Sequence, residues 1–291
     1  MHKYLRAIGF SQIKELDDQD RLLHDVLSHY DFKKVIENED HQLFAEISRE
    51  YAPNAGITVC GHYDEDNLFH MEYYYPHFWG SQVTTYEQVT VERHIATESY
   101  AAACDDMRVG TTLIFYLNNA SEYLSLKESG VFKEVQASVT LAALADSGSI
   151  LMPVRKEKKP VTENPEKTEH RNSLVNAAQN GDQKAIESLT MEDIDAYTTL
   201  TNRVKHEDIY TIVDSYFMPY GMECDLYSIL GDITSVEKNV NAVTDEEIWQ
   251  MSILCNDVPM DVCINAKDLF GEPAVGRRFK GSVWLQGRVD I

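Results

Sequence analysis

A chain of 291 residues with 43% hydrophobic and 25% charged side chains has the composition of a core-forming protein, which excludes wholesale disorder. Its 48 acidic against 26 basic residues leave a formal net charge of -22. A field that negative repels a phosphate backbone and disfavours nucleic acid as a partner.

The length suits two domains of roughly 100 to 200 residues, each able to bury its own core. Both halves share the acidity: residues 1–153 carry 11 Lys and Arg against 24 Asp and Glu, and residues 171–291 carry 10 against 20. Solubility is the simplest reading of that charge, ahead of recruitment of a basic partner. The start, Met1 to Phe10, has no long apolar run, so no membrane or secretory segment is expected and a cytoplasmic location is predicted.

From Asp18 to Tyr30, residues Leu22, Leu23, Val26, Leu27 and Tyr30 recur at helical spacing and predict one amphipathic helix. Leu43 to Tyr51, Gly56 to Tyr63, Leu68 to Tyr75, Val83 to His94 and Thr111 to Leu117 then read as strands. Val135, Val139, Ala142 and Ala143 suggest a helix closing this half. The order of elements predicts an α+β first domain, residues 1–153, with helices packed on an antiparallel sheet.

Pro and charge replace apolar residues from Pro153 to Lys167, which predicts a flexible linker over 154–170. The remainder, 171–291, opens with short helices: Ser173 and Asp182 are placed as caps and Asn180-Gly181 as a stop. A helix-turn-helix at Asn172 to Leu189 is similar to one ankyrin unit, but a lone copy cannot support an array. Strand candidates come next at Leu226 to Ile233, Ile248 to Leu254 and Met260 to Ile264, with two more between Gly276 and Val289. Gly231, Gly281 and Gly287 sit where a curved sheet bends, so the prediction is a small five-strand OB-like β-barrel.

Chemistry-bearing motifs are sparse. The five cysteines, Cys60, Cys104, Cys224, Cys255 and Cys263, form no C-x-x-C pair, so reduced thiols are expected. Cys255 and Cys263 could face each other across a hairpin centred on Val258-Pro259. No G-x-S-x-G, P-loop, dinucleotide fingerprint or H-E-x-x-H occurs, so no catalytic residue is assigned and no cofactor or metal is expected. His62, His70 and His77 with Cys60 and Glu72 invite a metal site, yet a four-residue turn Asp64 to Asn67 aligns His62 with Phe69 and splits the set between faces; only an odd-length turn lets Cys60, His62, His70 and Glu72 converge.

Two surfaces are the candidates for a ligand or a protein partner. One is the aromatic run from Tyr73 to Trp79, with Tyr73, Tyr75, His77 and Trp79; strand alternation points one set of these rings into the core. The other is the basic spot Arg277, Arg278 and Lys280 beside Trp284, which could seat an anion or pair with Asp268 and Glu272. A binding or regulatory role leads over an enzyme with an acid or histidine site in the first domain, and over a nucleic-acid-binding barrel.

Three stretches carry a resemblance: His2 to Phe10 (HKYLRAIGF), Tyr216 to Asp225 (YFMPYGMECD) and Gly276 to Gly287 (GRRFKGSVWLQG). Together they make the chain similar, over nearly its whole length, to the bacterial domain-of-unknown-function family 3881 of Gram-positive anaerobes. The resemblance implies a bacterial cytoplasmic setting and transfers no activity, cofactor or residue role.

Overall fold

The computed structural model describes residues 2–37, 41–93, 99–128, 137–154 and 209–290. The chain divides into two compact units, residues 1–152 with 215–291 and residues 153–214. The linker, the capped helices and the helix-turn-helix expected between 155 and 208 lie outside the described residues. Every strand among the described residues belongs to the first unit.

A short 3-10 segment, Lys3–Ile8, precedes α1 (Leu16–Ser28). Four strands then form an antiparallel sheet in sequence order: β1 (Phe32–Glu37), β2 (Leu43–Ala52), β3 (Ala55–Tyr63) and β4 (Phe69–Phe78). Helix α1 buries Leu22, Leu23 and Val26, the apolar stripe read from the sequence, in a core shared with Phe44, Ile57 and Val59 of this sheet.

The second sheet has eleven strands. Its first members are β5 (Thr85–Glu87), β6 (Val89–Arg93), β7 (Tyr100–Asp106) and β8 (Thr111–Leu117). After α2 (Ala120–Glu128) comes the long β9 (Ala137–Leu151). The distal segment adds β10 (Tyr216–Pro219), β11 (Leu226–Val240), β12 (Glu247–Cys255), β13 (Val258–Asn265), β14 (Leu269–Phe270) and β15 (Arg278–Asp290).

The α+β expectation is overturned: the fold is mostly β, and among the described residues no separate barrel forms from the second half of the chain. Pairing runs β11-β12-β13-β9-β15 and returns from β15 to β11, so the ring closes only because β9, from the first half of the sequence, is inserted in it. Strand β9 lies parallel to β13 and antiparallel to β15. That insertion is why Val139, Ala142 and Ala143 are not helical: both faces of β9 are buried, and a central strand reads as a continuous apolar run. Val139, Leu141, Ala143 and Ala145 face a core with Leu113, Phe115 and Leu285 of the second sheet, while Ala142 and Leu144 face the core that holds α1.

Two further expectations change. The segment read as two strands after Gly276 is one, β15, with a bulge between Ser282 and Val283. The hairpin expected at Val258-Pro259 turns at Asn256-Asp257, both with positive φ, the geometry of a two-residue I′ turn. Cys255 therefore opposes Val258, and Cys263 opposes Gln250.

All five cysteines are free and only Cys224 is exposed. Titration of the native chain with an aromatic disulfide should give one fast thiol, and five after denaturation. More than one fast thiol would contradict the burial of the other four. Among the described residues no helix is long and apolar enough to cross a membrane.

Candidate functional site

A cleft of about 530 Å³ opens where the four-stranded sheet meets β9, β15 and the start of α2. That size lies within the range of small-molecule sites, roughly 300 to 1,000 Å³. Its wall comes from one face of β2 and from the junction between β8 and α2. Along β2, Phe44, Glu46 and Ser48 alternate with Ala45 and Ile47, so Glu46 projects from the cleft face of a strand buried on both sides.

Glu46 is 4% exposed, and its Oε2 accepts the Ser121 N–H at 3.0 Å, in the first turn of α2. Burial pushes its carboxyl up from 4.5 to about 7, against the hydrogen bonds from Ser121 and the attraction of Lys34, and with added repulsion from Glu122. Desolvation thus outweighs the favourable first turn of the helix.

The two residues before α2 tie the cleft floor to both sheets. Asn119 donates to the Val289 carbonyl at 2.9 Å and accepts the Val289 N–H at 3.1 Å, standing in for a strand neighbour. Asn118 donates through Nδ2 to the Phe78 carbonyl and to Gln286 Oε1, both at 3.3 Å, while its buried Oδ1 has no partner. Across the opening, Arg288 bonds Glu122 at 2.9 Å and Asp290 at 2.8 Å.

Trp79 closes one side. Its main-chain N–H donates to the Asn54 carbonyl at 2.8 Å. The next residue must be glycine, because a Cβ at Gly80 would lie 2.6 Å from the Thr140 methyl and 2.9 Å from the Leu141 carbonyl oxygen. Ser81 Oγ then donates to Asp261 Oδ2 at 2.7 Å, pinning the segment to β13.

Of the eight residues singled out in the sequence, Trp79 lines this cleft. Tyr75, His77, Arg278 and Trp284 are buried, at 2%, 0%, 4% and 6% exposure, and offer no contact surface. Tyr73 and Tyr75 stack at 6.4 Å, Tyr75 meets Tyr116 at 4.7 Å, Tyr116 meets Trp284 at 5.1 Å and Trp284 stacks on Tyr4 at 5.5 Å. This is a structural seam between the sheets, locked by Trp284 Nε1 donating to Asp225 Oδ2 at 2.7 Å. The basic spot is dispersed: Arg278 turns inward to the Met152 carbonyl, Arg277 bonds the Glu272 carbonyl, and Lys280 is half-buried.

Two of the three histidines meet: the rings of His62 and His70 stack at 5.6 Å, and Glu72 bonds His62. The β3–β4 hairpin pairs Tyr63 with Phe69 and His62 with His70, so the loop is five residues, Asp64 to Leu68, and not the four expected. His62 bonds Glu72 at 3.1 Å and His70 bonds Asp64 at 2.6 Å, both near the surface. His77 is buried apart from them. Its Nδ1 lies 2.9 Å from Thr58 Oγ1, its Nε2 has no partner, and burial lowers its pKa to about 3. Among the described residues no three His, Cys, Asp or Glu side chains gather as a metal site requires.

Glu46, Asn118 and Ser121 belong to no motif that the sequence reading singles out. An acid set among apolar alternation in LFAEISREY, and an Asn-Asn pair between a strand and a helix, are the marks that could have found them.

No curated protein and no solved structure matches the chain. A family model described as "Domain of unknown function, E. rectale Gene description (DUF3881)" matches residues 5–287. The chain therefore belongs to DUF3881, a family to which no function is assigned.

Proposed function

We propose that this is a cytoplasmic binding protein, without a catalytic role, and that the cleft at Trp79 is where it holds a small molecule. The observation carrying this is Asn118, a residue of the cleft lining whose buried Oδ1 has no partner. A buried acceptor left unmade costs roughly 1 to 3 kcal/mol, so a ligand donor there recovers a deficit built into the empty fold. The aromatic face of Trp79 and the pairs Arg288–Glu122 and Arg288–Asp290 supply the few orienting groups that a binding cleft needs.

The enzyme reading calls for an acid and a histidine converging in one pocket. His62 and His70 bond acids at the sheet surface and His77 is not among the residues lining this cleft, which favours binding over turnover. The net charge of -22 keeps nucleic acid the least favoured ligand.

The test tracks the Trp79 indole resonance of the full chain, assigned by its absence in Trp79→Phe, across a library of sugars, amines and carboxylic or phosphate anions. At least one class should shift it saturably, and Trp79→Ala should weaken that ligand at least tenfold. A resonance that no class moves overturns the reading.

A further inference from the structure

We propose that the cleft takes an organic cation, a ligand presenting one or more ammonium groups to Glu46 and to the Asn118 carbonyl oxygen, with its alkyl stem against Trp79. This rests on the binding reading above and names its ligand class.

The first support is the orientation of one amide. Asn118 Nδ2 already serves two acceptors, Phe78 O and Gln286 Oε1, so the amide cannot turn over, and the atom left unpartnered is an oxygen. It calls for a donor. The second support is the balance of charge. Asp31, Glu46, Glu50, Glu122 and Asp290 line the cleft against one cation, Arg288. Arg288 is itself engaged by Glu122 and Asp290, which leaves it poorly placed to receive an anion. A neutral sugar would satisfy Asn118 but leave that negative charge unanswered. A divalent metal would need several carboxylates in one shell, and no such group forms among the described residues. An ammonium ion answers both demands, and the Trp79 face adds a cation–π contact.

The titratable groups facing Glu46 come from five elements. They are Lys34 from β1, Cys60 from β3, Tyr73 and Tyr75 from β4, Tyr116 from β8 and Glu122 from α2. Lys34 is the one cation in that set. With the cleft empty, burial holds a proton on Glu46 near neutrality. A bound ammonium favours the carboxylate, and Glu46 gives its proton to solvent while the ligand keeps its own.

The experiment titrates the full chain at pH 7 and 150 mM salt with spermidine, 1,4-diaminobutane, maltotriose, inorganic phosphate and calcium chloride. The readouts are the Trp79 indole resonance and heats measured in two buffers of different ionisation enthalpy. Spermidine or the diamine should bind saturably, one per chain, with release of a fraction of a proton. Glu46→Gln should weaken that binding at least tenfold and abolish the proton release, whereas the exposed Glu237→Gln on β11 should change neither. Unsaturable binding reduced equally by both variants is counterion association with an acidic chain and overturns the proposal. Tighter binding of calcium, maltotriose or phosphate at Trp79 overturns it too, while leaving the binding reading in place. Silence from all five compounds rejects the amine class, and the wider library then decides the binding reading separately.

Discussion

Replacing Gln286 with leucine should lower the stability of the first unit by about 3 kcal/mol, a loss out of proportion to one neutral side chain. Gln286 is fully buried on β15. Its Oε1 accepts the Phe78 N–H at 3.0 Å and its Nε2 donates to the Pro76 carbonyl at 2.8 Å. It is thereby an extra rung between β4, in one sheet, and β15, in the other. Leucine fills the same volume but orphans two buried main-chain groups, each worth roughly 1 to 3 kcal/mol. Gln250, 9% exposed, donates to a single main-chain carbonyl, Pro53 O at 2.7 Å, so Gln250→Leu should cost about a third as much. Urea unfolding monitored by tryptophan fluorescence reads both variants, because Trp79, Trp249 and Trp284 all lie in the first unit. Equal losses in the two would show that water replaces the glutamine.

Local elements are the legible part of this fold. The amphipathic stripe Leu22, Leu23, Val26 marks its own structure because it buries one defined face, and Leu43 to Tyr51 is marked by polar residues set at intervals among apolar ones. Strand β9 is not legible. An Ala-rich segment buried on both faces carries no period that separates strand from helix, and what decides it is the pairing with β13 and β15, more than a hundred residues away. The same long-range pairing explains why the second half reads as an independent barrel: its own strands supply four walls of the ring and nothing local betrays that the fifth comes from elsewhere.

The candidate site divides along similar lines. Trp79 stands out because aromatics in a row are conspicuous, but the row itself does not tell which rings build the seam and which one meets solvent. Tyr75 and Trp284 are conspicuous for the same reason and are structural. Asn118 and Glu46 are inconspicuous in the chain, 72 residues apart, and acquire meaning only when Ser121 donates to the Glu46 carboxylate and Gln286 fixes the Asn118 amide. A net charge spread over both halves likewise gives no hint that five acids share one cleft.

Glu46→Gln should leave the unit about as stable as the wild type at pH 4.5 and about 3 kcal/mol more stable at pH 8. Burial raises the native Glu46 pKa from 4.5 to about 7. Between those values the native state holds a proton that the unfolded chain has released, so stability falls as pH rises through the window and stays at the lower level above it. Glutamine keeps an oxygen for the Ser121 N–H and cannot ionise. The wild-type curve alone would hide this. His77, whose pKa burial lowers from 6.5 to about 3, makes stability rise with pH over much of the same range, and His2, lowered to about 4, acts in the same direction. Subtracting wild type from variant at each pH cancels both histidines and isolates Glu46. A difference that is constant from pH 4.5 to 8 would mean that Glu46 titrates in the folded unit as it does in the unfolded chain and that its carboxyl is solvated. A rising difference, together with the loss of amine binding in the same variant, separates ligand contact from folding: the residue that costs stability in the empty cleft is then the one that holds the cation.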